Sequence, residues 1–412
     1  MKSKKVRPTR KQTYKKIGDN FKQIDFNKLA RKSEFKKRKE KKLKGKNLVL
    51  GFMLMSMYGT NTFAQWAQEV GWINGKTISK QAVCKRITGC FVAFVLLILN
   101  EVFTQHVKEV SNKVKRMNKL KTYKNILVQD STLIQLPQCL SKFYPGNYSR
   151  GEIKASIRIQ LIIELHRNKI VQFQVTPYSK NDQSMSSLIF DVARKGDLII
   201  RDLGYFVMDV FEKMIEASMK FITRIKPGVK IYDSQTGVEI NLVKLLGNRP
   251  KLDLLVTVST KNKLPLRLVA IKLPDEVANE KIRKEKRNRN KRLNHSKEYY
   301  ELMRYTIYLT SEPVTELNAQ DVAKIYNLRW RIENIFKTWK SNLHLQKLIA
   351  SNISMSKARA ESIIYLMLIF ILEFQMKIYN DVVALLRQRK ESLQISITKF
   401  SKFIAINFND IF

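Results

Sequence analysis

Tyr326, Arg329, Glu333 and Lys340 lie in one basic run, YNLRWRIENIFKTWK. On a helix that turns about 100° per residue, the four share a stripe roughly 60° wide. Leu328, Ile332, Ile335, Trp339 and Leu343 fall on another face, which suits a core. A single carboxylate among Arg329, Arg331, Lys337 and Lys340 has two readings. It can pair with Arg329 and Lys337 at i−4 and i+4, for a few tenths of a kcal/mol each. Or it can ligate a cation while its basic neighbours hold an anionic substrate.

Two aspartates bear on that choice. Asp130 closes the apolar run NILVQD, and Asp202 closes DLIIRD. A charged side chain against an apolar strand is expensive unless its charge is used. Acids are scarce, 35 against 77 Lys and Arg, so two such placements count. Three carboxylates at one sheet edge would repel and raise one another's pKa. A pair of Mg²⁺ ions removes that cost, and Mn²⁺ can substitute, with substrate phosphate completing the shell. Two ions about 4 Å apart can activate a water or a 3′-hydroxyl and stabilise the leaving oxygen of a phosphodiester. Asp130, Asp202 and Glu333 are then the catalytic, metal-holding set. Tyr326, Arg329, Lys337 and Lys340 are the expected DNA contacts beside it.

The elements that must position these residues follow from periodicity. A short strand runs into Asp130. Residues 156–165 and 170–176 alternate as a hairpin joined at Arg167–Lys169. A helix is predicted over 183–194, then an apolar strand into Asp202, a helix, and a strand over KFITRIK. Strand, hairpin, helix, strand, helix, strand is the order of an α/β, RNase H-like catalytic core, in which the first and fourth strands are neighbours. The predicted organisation is a basic flexible arm over 1–46, a helical DNA-binding domain over 47–120 and the first part of the core over 121–226. A β-rich insertion over 227–312, the catalytic helix over 313–348 and a C-terminal helical region over 349–412 complete it. Within 47–120, one helix, a Gly-containing turn and a second helix from Thr77 or Ser79 carry Lys80, Gln81, Lys85 and Arg86. This is either a helix-turn-helix or part of a plain bundle.

A net charge of +42 repels itself unless a polyanion neutralises it, and nucleic acid is the expected partner. The basic run Lys281–Arg292, with Lys284, Arg287 and Arg289, is a second expected DNA-backbone contact. Cys84, Cys90 and Cys139 make no CxxC pair, and the four histidines complete no zinc spacing. No GxxxxGK[ST] loop is present, so ATP use is not expected. The longest apolar runs, Cys90–Leu99 and Ile363–Leu372, span about ten residues, where a membrane helix needs roughly 20. No apolar segment follows the charged N-terminus, so no signal peptide is expected. Those features predict a reduced, cytoplasmic, nucleoid-associated protein without a membrane. Trp330 and Trp339 are expected to pack, and Asp197 and Glu164 to lie at the surface.

The pattern resembles the DDE transposases of bacterial insertion sequences, specifically those with a Tyr-x2-Arg-x3-Glu-x6-Lys signature. Tyr326, Arg329, Glu333 and Lys340 match its spacings, Asp130 in LVQDST and Asp202 in DLGYF match the two aspartate contexts, and a long β-rich stretch precedes the Glu. The resemblance covers roughly 120–345. It implies cut-and-paste transposition by a homodimer in a synaptic complex on double-stranded DNA. The dimer would nick at the terminal inverted repeats, and the 3′-OH would attack the opposite strand to form a hairpin. Water would reopen it, and the same site would join the ends to target DNA. In such relatives an aromatic in the insertion holds a flipped base. No Trp lies between 203 and 329, so Tyr232, Tyr299, Tyr305 or Tyr308 would serve. A catalytically lapsed DNA-binding descendant and an RNase H-like nuclease are the competing readings.

Overall fold

The computed structural model describes residues 9–376, except 37–42, 58–61, 110–119, 121, 150, 167–168, 227, 260–262, 288–295 and 342–354, together with Tyr379, Val382 and Leu385. The chain opens with helices α1 (Arg10–Asn20), α2 (Phe26–Lys32), α3 (Gly45–Met57), α4 (Phe63–Asn74), α5 (Lys80–Arg86) and α6 (Gly89–Glu109). The expectation of a flexible arm is corrected over 10–32. Thr9 caps α1 in a capping box with Gln12. Ile17, Phe21, Phe26 and Leu29 are buried, with Phe21 against Phe374 and Phe26 against Phe94. A few well-spaced apolar side chains outweigh the charge around them.

The α4–α5 pair is joined through Gly75, whose left-handed backbone caps α4, and Ser79 caps α5. Lys80, Gln81 and Lys85 are exposed. Arg86 instead turns to Phe35, with its guanidinium 3.9 Å from the ring. The apolar run Cys90–Leu99 lies in α6, where Phe91, Phe94, Val95, Ile98 and Leu99 are buried in the protein's own core. Among the described residues no single helix is long and apolar enough to cross a membrane.

One ten-stranded sheet follows. Its first half holds β1 (Ile126–Gln135), β2 (Pro145–Ser149), β3 (Glu152–Glu164), β4 (Lys169–Pro177) and β5 (Leu198–Arg201), then α7 (Met208–Glu216) and β6 (Lys220–Arg224). Its second half holds β7 (Ile231–Asp233), α8 (Leu242–Leu246), β8 (Lys251–Val258), β9 (Leu264–Lys272), α9 (Asp275–Lys286), α10 (Lys297–Leu302) and β10 (Tyr305–Thr310). The order is β2-β3-β1-β5-β6-β10-β9-β8-β7, with β4 beside β3. β1 is antiparallel to β3 and parallel to β5, and β5 is parallel to β6. The β-rich stretch after residue 227 therefore extends the same sheet, because β10 pairs with β6.

Helices α11 (Ala319–Tyr326), α12 (Trp330–Ser341) and α13 (Lys357–Phe370) close the chain, and α13 runs into a π-helical turn, Ile371–Met376. Ile126, Val128, Leu198 and Ile200 face these helices and α6, whereas Leu127, Ile199 and Phe221 face α7. The alternation is the period of two that puts successive side chains on opposite faces. Three local expectations are corrected. Residues 183–194 give only a 3₁₀ turn, Ser186–Asp191, because Asn181 and Ser184 satisfy the backbone locally. Asp130 lies within β1, not at its end, because Ser131–Gln135 continue the pairing with β3. The Tyr326–Lys340 run is two helices, broken by a 3₁₀ turn at Asn327–Arg329.

Candidate active site

Gln129 of β1 and Arg201 of β5 are register partners on parallel strands. The next residues along, Asp130 and Asp202, therefore come out side by side on the face that α12 covers. Ile332, Ile335 and Phe336 bury one side of α12 in that core. Its first turn then carries Glu333 toward the two aspartates. The 3₁₀ turn before α12 brings in Arg329.

One atom joins the four side chains. Arg329 Nη1 lies 2.5 Å from Glu333 Oε1, 3.5 Å from Asp130 Oδ2 and 3.6 Å from Asp202 Oδ1. Among the described residues no three acidic, His or Cys side chains are gathered closely enough to hold one ion as they stand. The carboxylates meet through the guanidinium, which offsets their repulsion. The donor set nonetheless suits a hard divalent cation: three carboxylates, and no softer ligand, converge on one cationic atom.

Burial pushes Asp130 up to about 7; its neighbours Asp202 and Glu333 add to the rise, and the Ser131 N–H and Arg329 oppose it. Burial works against the charge of Arg329, but Asp202, Tyr326 and Glu333 outweigh it and raise its pKa. The Asp130 carboxylate also accepts from Ser131 N–H at 2.7 Å.

A polar network supports β1 beside the site. Asp182 Oδ1 accepts from Ser131 Oγ at 2.6 Å, Arg158 Nη1 at 3.0 Å and Gln160 Nε2 at 3.3 Å. Tyr205, fully buried, donates to Gln160 Oε1. A Cβ on Gly204 would stand 2.7 Å from Asp182 Oδ2, so the Gly-Tyr pair after Asp202 is shaped by Asp182. Sequence reasoning missed Asp182, which sits in a polar run with no periodic signal.

The other expected site residues divide. Tyr326 is buried against Tyr308, with ring centroids 5.2 Å apart, and does not reach the surface as a DNA contact. Lys337 is exposed and Lys340 half-buried, and burial lowers the pKa of Lys340. Lys284, exposed on α9, pairs with Glu280 at 2.7 Å, and Arg287 is exposed at the end of that helix. Arg289 lies outside the described residues. Trp330 does not pack as expected: it is 59% exposed, one residue from Arg329. Asp197 and Glu164 are not surface residues. Asp197 is fully buried and accepts from the N–H groups of Asn125 and Arg194, and Glu164 accepts from His166 N–H.

A family model, the transposase DDE domain, matches residues 122–369. The chain belongs to that family. The transposase is 26% identical, over 76% of its length and 69% of the relative's, to the transposase for insertion sequence element IS231F of Bacillus thuringiensis subsp. israelensis. It is 25% identical, over 79% and 73%, to the transposase for IS1151 of Clostridium perfringens. A stretch of 95 residues is 42% identical to the putative transposase InsL for IS186A of Escherichia coli K12, covering 23% and 26% of the two chains. The transposase is thus an enzyme of insertion-sequence transposition that acts on DNA, and its family works with divalent metal ions.

Proposed function

We propose that Asp130, Asp202 and Glu333 are the catalytic carboxylates of this transposase and hold its divalent ions, two Mg²⁺ that Mn²⁺ can replace. The observation that carries this reading is the convergence of all three on Arg329 Nη1. When bound, the ions would supply Lewis-acid activation of the phosphodiester and of the attacking oxygen. The protein does the rest. Parallel strands β1 and β5 fix the aspartates side by side, and α12 lays Glu333 over them. Burial raises the pKa of Asp130 to about 7, and a cation bound at the site would favour its charged form.

Lys337 and Lys340 extend along α12 from the carboxylates and would hold backbone phosphates of the bound end, with Lys284, Arg287 and Arg289 as a second backbone contact. The sheet order, with β1 between antiparallel β3 and parallel β5, supports an RNase H-like core preceded by a helical DNA-binding domain. In that domain α5 would present Lys80, Gln81 and Lys85 to a groove. Trp330, exposed beside the site, replaces the four tyrosines as the aromatic that would stack on a flipped base at a hairpin end. The proposed reaction is cut-and-paste transposition by a homodimer at terminal inverted repeats, without ATP, on nucleoid DNA in the cytoplasm.

The test is a supercoiled plasmid carrying the gene's own flanks, incubated with protein and Mg²⁺ and run on a denaturing gel. Discrete cuts at both flanks with hairpinned ends are expected, and Asp130→Ala, Asp202→Ala or Glu333→Ala should each remove them while end binding persists. Binding without cuts by the unaltered protein would indicate a lapsed descendant; scattered nicking that the three variants remove would indicate a nuclease.

A further inference from the structure

Arg329 touches the carboxylate cluster more closely than a contact with a passing phosphate requires. A single nitrogen lies within 3.6 Å of three carboxylates, and the side chain is 12% exposed. Its Nε is buried and has no hydrogen-bond partner. The Tyr326 ring lies 5.8 Å from its Cζ and walls the other side. The turn that breaks the α11–α12 run sets Arg329 there. The guanidinium therefore holds the position on which the acids converge.

We infer that Arg329 is an exchangeable counter-cation that gates metal loading, an inference that rests on the three acids being the metal site. In the free protein its charge offsets the carboxylates and competes with any divalent ion for them. A backbone phosphate brought alongside α12 offers the guanidinium a bidentate partner. Arg329 turns to that phosphate, and the acids are left with uncompensated charge that favours a divalent cation. DNA and metal binding are then positively coupled, each strengthening the other by the same factor.

The test measures Mn²⁺ binding by titration calorimetry and by the free-ion electron paramagnetic resonance signal. The full chain is used, with and without a duplex of the element's end. Unaltered protein should bind Mn²⁺ at least tenfold more tightly with DNA than without it. Arg329→Gln should bind Mn²⁺ at least tenfold more tightly than the parent without DNA, and DNA should add little. Arg329→Lys, which keeps a charge, should stay near the parent. Equal or weaker Mn²⁺ binding by DNA-free Arg329→Gln, with a parental melting temperature, would overturn the gate. If Arg329→Gln is unfolded, DNA-independent Mn²⁺ affinity in the unaltered protein overturns it instead. Glu333→Gln separates the two ideas: it should abolish Mn²⁺ binding with DNA present, and if it does not, the metal site itself is wrong.

Discussion

Arg201 donates to Gln129 Oε1 at 2.7 Å, across the parallel pair one residue before Asp130 and Asp202. Both side chains are fully buried, on the sheet face opposite the acids. Arg201 also donates to the Ser186 carbonyl at 2.5 Å, so one guanidinium ties β1, β5 and the turn after β4. This bond pins the register that sets Asp130 beside Asp202.

Gln129→Ala removes an acceptor from a buried cation and leaves a void. Breaking such a bond costs about 2–4 kcal/mol. Urea unfolding should show that loss, and cleavage by the remaining folded protein should fall as well. A fully active variant of parental stability would mean that the clamp does not position the site.

Asp130 gives a pH dependence with a definite sign. Its folded pKa is about 7 against 3.8 for the free group. A raised pKa favours the protonated form in the fold, so the stabilising contribution is complete below about pH 4 and is lost as pH rises through 7. Asp130→Asn has no charge to bury. Without divalent metal it should be more stable than the parent at pH 8, by about 4 kcal/mol at roughly 1.4 kcal/mol per pKa unit, and alike at pH 4. A difference that is the same at both pH values would contradict the assignment.

Gly204 is fixed by contact and not by backbone angle. Gly204→Ala would press a methyl group on the Asp182 carboxylate at 2.7 Å and strain its bond to Ser131. A loss of about 1–3 kcal/mol is expected in thermal melts. Asp182→Ala should relieve that strain, so the double variant should lose less than the sum of the two singles.

Lys340 and Trp330 should separate affinity from chemistry. Lys340→Ala should weaken end binding and lower the slope of log K against log salt by about one. An unchanged slope would place Lys340 away from phosphate. Trp330→Ala should leave the first nick intact but reduce hairpin formation, read by the fluorescence of 2-aminopurine placed at the end base.

Much of the candidate site is legible in the sequence because its acids are rare and strongly placed. Asp130 and Asp202 interrupt apolar runs, and Glu333 interrupts a cationic one. What a one-dimensional pattern could not show is what meets across the fold. The stripe of Tyr326, Arg329, Glu333 and Lys340 assumes an unbroken helix, and the turn at 327–329 sends Tyr326 inward and Arg329 onto the acids. The N-terminal helices escaped because Ile17, Phe21 and Phe26 are sparse among lysines, yet each finds a distant aromatic or aliphatic partner. Trp330 looked like a core residue by type, and only its place at the start of α12 exposes it.

The most direct measurement loads the transposase with Fe²⁺ in place of Mg²⁺, in the presence of end DNA, and adds ascorbate and peroxide. Hydroxyl radicals made at a bound ion cut the polypeptide nearby, and the fragments are sized by mass spectrometry. Cuts clustered around residues 130, 202 and 333 together, suppressed by Mg²⁺ and lost in Glu333→Ala, are the predicted result. Cuts at one of the three alone, or a pattern that Glu333→Ala leaves unchanged, would contradict a shared metal site.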